Sequence, residues 1–202
     1  MLQAQLIRRG LLLEYLTLGW NVVGVMIVVA AAYMARSVAL AGFGLDSLIE
    51  IFASIIVVWQ LLGVNQHRER LALDNNTLGH IGAAFFALAL YILTQITVTL
   101  LTRTHPAPSI VGIVWLAATF IAMLLLAYGK RVTGKQLGNV VLMTEGHVTL
   151  IDAYLASAVL IGLILNALFG WWWADPLASL VIVYYGIREG LHAWRGEEEQ
   201  HA

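Results

Sequence analysis

The sequence predicts an all-α membrane protein, a six-transmembrane-helix bundle with both termini cytoplasmic. Three observations carry that prediction. The 202 residues are 60% hydrophobic and 11% charged, with a mean hydropathy of +0.83, whereas a soluble domain carries about a quarter charged residues. Six apolar segments are long enough, at about 20 residues each, to cross a bilayer as helices. The basic residues, finally, fall mostly between alternate segments.

The first span is expected at 11–34, after MLQAQLIRRG. Two arginines before an apolar run resemble a secretory leader. The run continues past position 34 without a small-residue cleavage site, so it reads as a retained span. The others follow at 38–64, 77–101, 109–129, 143–168 and 174–193. Pro106 and Pro108 separate spans three and four, and Asp175-Pro176 opens span six, where proline suits the first helical turn. The longer connections are 65–76 (NQHRERLALDNN) and 130–142 (KRVTGKQLGNVVL). Residues 1–196 then make one transmembrane domain. Residues 197–202 make an acidic cytoplasmic tail, part of RGEEEQHA, that is expected to be disordered.

Orientation follows from charge. Arg8, Arg9, Arg68, Arg70, Lys130, Arg131, Lys135, Arg188 and Arg195 would share one side, against Arg36 and Arg103 on the other. That bias makes the first side cytoplasmic. Trp171, Trp172 and Trp173 fall at the opposite surface, as an interfacial belt. The absence of cysteine excludes disulfides and thiolate metal sites.

Against this background two acids stand out in span two, Asp46 and Glu50 of GFGLDSLIEIFAS. Each costs roughly 2.5–3.5 kcal/mol at the middle of a spanning helix. At a spacing of four they share a face, where like charges repel unless a proton or cation neutralises them. Gly42, Gly44, Ser47, Ala53 and Ser54 beside them let a partner helix come close. The partner is expected in span five, MTEGHVTLIDAYLASAVLIG. Asp152 lies deep in it, Glu145 is seven residues earlier on nearly the same face, and Thr149 is a weaker oxygen donor there. His147 is about 140° around the helix from Asp152. Carboxylates without thiolates suit a divalent cation. No basic residue is expected at matching depth to pair with these acids. Glu14, Asn21 and Asn166 could line the same cavity or simply bond between helices. His80 is expected at an interface, and His67, His105, His192 and His201 in loops or the tail.

Six spans, GFGLDSLIEIFAS in span two, an aspartate in span five and WWWADPLASLVI opening span six resemble the cation diffusion facilitators across nearly the entire chain. In that family span two carries Asp-xxx-Asp, and span five His-xxx-Asp or Asp-xxx-Asp, as a tetrahedral site for zinc or a related ion. The resemblance implies Asp46, Glu50 and Asp152 as metal ligands, with Glu50 replacing the second aspartate. Val148 stands where the family has its fourth ligand, so Glu145 and His147 are the candidates for that role. The family's C-terminal cytoplasmic domain and its histidine-rich loop between spans four and five have no counterpart here. The chain thus resembles a short, membrane-domain-only branch.

The resemblance implies a proton-coupled exporter of divalent metal ions, zinc first, working by alternating access in a prokaryotic inner membrane. It implies a homodimer, lipid surroundings, no prosthetic group, no enzyme activity and no nucleic-acid partner. Ala158-x-x-x-Gly162 is a candidate dimer face. Two other readings remain open: a non-transporting partner subunit of another metal transporter, and a membrane-embedded metal-dependent enzyme.

Overall fold

The computed structural model describes residues 2–64 and 75–201, which form six helices. They are α1 (Leu2–Ala35), α2 (Val38–Val64), α3 (Asn75–Thr102), α4 (Ile110–Leu137), α5 (Val140–Phe169) and α6 (Ala174–His201). Among the described residues four stretches are both long and apolar enough to cross a membrane: Gln3–Ala35, Gly82–Thr102, Ile110–Leu137 and Val140–Phe169. The chain is a multi-pass membrane protein. Many large apolar side chains face outward, among them Met26, Leu90, Leu101 and Leu125, as lipid-facing surfaces require.

The helix ends have local causes. Gly138 and Gly170 adopt left-handed conformations, with φ of 62° and 67°, and stop α4 and α5. Ser109 and Asn139 open α4 and α5 by accepting from Gly112 N and Leu142 N. Arg36 and Arg103 take positive φ just after α1 and α3, a conformation that costs a residue with a Cβ about 1–2 kcal/mol. Tertiary bonds hold that first bend. Ser37 Oγ accepts from Leu40 N, and Asp175 at the start of α6 accepts from Ser37 Oγ, Val38 N (2.9 Å) and Ala39 N (3.3 Å). Asp175 therefore caps α2 rather than its own helix.

The connection between α4 and α5 differs from expectation. KRVTGKQLGNVVL is not a loop: α4 continues through Leu137 and α5 begins at Val140, leaving only Gly138 and Asn139 between them. Lys130 and Arg131 are helical, and Lys130 points inward with no exposed surface while Arg131 and Lys135 are exposed. At the other end of the chain, α6 carries on through His201, so the backbone expected to be a disordered tail extends the helix. The 65–76 connection, with His67, Arg68 and Arg70, falls almost wholly outside the described residues.

α2 packs on α1, α3, α5 and α6, α1 also packs on α4, and α5 joins α4 to α6. α4 and α5 are in backbone contact. A Cβ on Gly146 would lie 3.0 Å from Arg131 N, and one on Gly134 would lie 2.9 Å from Met143 N. The main apolar core, including Ala39, Phe43, Ile92, Leu116, Val159 and Ile182, draws on all six helices. A smaller cluster of Val57, Leu61 and Leu142 closes the α4–α5 turn end. Polar side chains occupy the bundle between the two.

Candidate functional site

Four helices build the polar interior by register. On α2, Asp46, Glu50 and Ser54 succeed one another at four-residue steps, and on α5 Glu145, Thr149 and Asp152 do the same at steps of four and three. Glu14 and Asn21 line α1, and Lys130 and Thr133 line α4. All are buried except Asp46, which is partly exposed.

These side chains form a continuous column. Asn21 Nδ2 donates to Glu50 Oε2 at 2.9 Å. Glu50 faces Asp152 across the α2–α5 contact, and Asp46 is close enough to add its field to theirs. One to two turns along α5, Ser54 Oγ donates to Glu145 Oε1 at 3.2 Å. Lys130 Nζ reaches the same oxygen at 3.3 Å, Thr149 Oγ1 at 3.1 Å and Glu14 Oε2 at 3.0 Å. Among the described residues, neither oxygen of Asp152, nor Glu50 Oε1, accepts a hydrogen bond. A buried carboxylate without donors is expensive, and a bound cation or proton is what satisfies it.

Each sequence-predicted residue now has a place. Glu50 and Asp152 face each other where α2 meets α5, with Asp46 one turn away on α2. Glu145 is buried two turns away, against Lys130. His147 is exposed on the outer side of the α4–α5 hairpin, in a groove with Arg131, Lys135 and Tyr128. No three His, Asp or Glu side chains among the described residues converge closely enough to grip one ion. Glu14 and Asn21 belong to the column. Asn166 does not: its Nδ2 donates to Pro106 O at 2.8 Å, near the tryptophan end.

Two residues escaped the sequence reading. Lys130 is a buried base at the depth of Glu145, where none was expected. It went unseen because a Lys-Arg pair beside polar residues looks like a cytoplasmic loop. The signal was the helical spacing of Lys130, Thr133 and Gly134 against outward Arg131 and Lys135. Glu189 of α6 is the second, close enough to Asp46 to act on its charge.

A family model described as the cation efflux transmembrane domain matches residues 80–195, more than half of the chain. The chain belongs to the cation efflux family. Members of this family are membrane transporters of metal cations rather than enzymes, and the substrate here is a divalent metal cation. Comparison with curated proteins found no match. The matched stretch holds Lys130, Glu145 and Asp152 on α4 and α5. The α1 and α2 part of this cation efflux protein's column, with Glu14, Asn21, Asp46 and Glu50, precedes it.

Proposed function

We propose that this cation efflux protein exports divalent metal ions, zinc first among them, in exchange for protons, with Asp46, Glu50 and Asp152 as the ligands that carry the ion. The observation behind the proposal is Asp152. It is buried, faces Glu50, and has two carboxylate oxygens without a donor among the described residues. An all-oxygen set suits hard and borderline dications, and zinc–oxygen bonds of about 2.0–2.2 Å require the acids to draw inward from their present positions. Carboxylates release protons to take up metal, so protons arriving from the far side compete for the same oxygens and help expel the ion. Exchange of one dication for two protons keeps the column's charge constant.

In this reading all six helices span the membrane with both termini in the cytoplasm, and the bundle alternates between openings at its two ends. Arg8, Arg9, Arg131, Lys135 and Arg188 support that orientation, whereas Lys130, buried in the bundle, no longer counts toward it. A prokaryotic inner membrane and a homodimer complete the proposal. Gly162 packs against Ala174 and Ala178 of the same chain, so a dimer would use another face than Ala158-x-x-x-Gly162.

The partner-subunit reading draws on the wide spacing of the acids. Flux by the purified protein alone separates the two. Proteoliposomes holding a metal-sensitive dye, given an imposed pH gradient and offered zinc, manganese, iron, cobalt and cadmium in turn, should show saturable uptake of one or more ions. Protein-dependent flux of none, from folded protein, leaves the partner-subunit reading in place.

A further inference from the structure

The ammonium of Lys130 sits in a cage of oxygens. Glu14 Oε2, Thr149 Oγ1 and Glu145 Oε1 surround it at 3.0, 3.1 and 3.3 Å, and Ser54 Oγ braces Glu145 from α2. The lysine and both glutamates are buried. Two further buried oxygens, Glu14 Oε1 and Thr133 Oγ1, have no hydrogen-bond partner among the described residues. Two carboxylates and several hydroxyls are a donor set that a hard cation takes. Here a cation is already present, and it is covalently attached. Glu145 lies seven residues from Asp152 along α5, about 10 Å at 1.5 Å per residue, so the cage is the next level of the same column, with Glu50 within the field of both Glu145 and Lys130.

We infer that Lys130 is a tethered cation filling a second cation site, and that it holds this transporter to one dication per chain. The inference rests on the reading of Asp46, Glu50 and Asp152 as a dication site. Lys130 carries one positive charge toward two carboxylates on different helices. Its ammonium holds α1, α4 and α5 together while keeping Glu145 engaged away from Asp152. Removing the side chain but leaving Glu14 and Glu145 would expose two facing carboxylates and the volume of an alkylammonium, which a free cation can enter.

The test compares Lys130→Ala with a triple variant, Lys130→Ala with Glu14→Gln and Glu145→Gln, each purified in mild detergent. Zinc bound per chain is read by equilibrium dialysis, and thermal midpoints are read with and without zinc or ethylammonium. The unmutated protein should bind one zinc, Lys130→Ala two, and the triple variant one again. Ethylammonium should raise the midpoint of Lys130→Ala and leave the other two unchanged. If Lys130→Ala is recovered only when ethylammonium or zinc is present during extraction, while the triple variant needs neither, the cage is equally established. Lys130→Ala that binds one zinc and does not respond to ethylammonium overturns the inference. So does a variant that neither cation restores. Should the unmutated protein bind no zinc, the dication reading fails by itself, and the ethylammonium response alone decides whether the cage is a cation site.

Discussion

Asp175→Ala removes the carboxylate that, together with Ser37, closes the start of α2. Asp175 has no exposed surface, and its two oxygens take donors from Ser37 Oγ, Val38 N and Ala39 N. Ser37, Val38 and Ala39 are themselves buried, so water has little access to replace the lost acceptor. Ser37 Oγ still accepts from Leu40 N and is partly compensated. The two backbone N–H groups are not, and each unsatisfied buried donor costs about 1–3 kcal/mol. A loss of about 3–5 kcal/mol follows, a large part of the roughly 5–15 kcal/mol that typically holds a domain folded. Asp175→Asn keeps one acceptor oxygen and the shape, and should cost about 1–2 kcal/mol. Denaturant titration in detergent measures the total. Hydrogen exchange localises it, because Val38 and Ala39 amides should lose protection before those in the middle of α2. If Asp175→Ala unfolds within about 1 kcal/mol of the unmutated protein and both amides stay protected, the cap is not what holds α2 in place.

Other expectations follow from the same contacts. Gly146→Val sets side-chain atoms against the Arg131 backbone and should destabilise by about 1–3 kcal/mol or more, visible as a lower thermal midpoint; an unchanged midpoint would show that α4 and α5 can separate freely. Asn21→Leu leaves Glu50 without its donor, at about 1–3 kcal/mol, and should slow metal flux while the protein stays inserted. His147→Ala should leave flux within twofold, because the imidazole lies outside the column, whereas Glu145→Gln should lower the thermal midpoint by weakening the Lys130 pair. Loss of flux in His147→Ala with folding intact would place that histidine in the transport path.

Hydropathy made the helices legible, since long apolar runs leave little choice of structure in lipid, and α2 begins and ends where its run does. The acids were legible too. A carboxylate in an apolar run demands a partner, and helical spacing alone groups Asp46 with Glu50 and Asp152 with Glu145. The α4–α5 turn was harder to read, because exposed Arg131, Lys135 and Gln136 lend a loop's composition to a helix whose other face is buried. The actual turn signal was the pair Gly138-Asn139, a left-handed stop followed by an N-cap. Lys130 was lost with it. Which carboxylate pairs with which base depends on how far α1, α4 and α5 approach one another: the close contacts at Gly134 and Gly146 set the α4–α5 distance, and Gly129 against Leu13 sets that of α1 and α4. The role of Asp175 was hidden for a different reason: it caps a helix more than a hundred residues away in sequence, beyond the reach of local capping rules.

The most direct measurement is flux through Asp46→Asn and Asp152→Asn in proteoliposomes with a metal-sensitive dye and an imposed pH gradient. The substitutions are nearly isosteric and remove a buried charge that has no ion pair among the described residues, so insertion and thermal stability should hold or improve. A neutral amide is a far poorer ligand for a dication than a carboxylate, so each variant should lose proton-driven flux while the unmutated protein retains it. If both variants transport at the unmutated rate, the buried acids are structural and the account is contradicted.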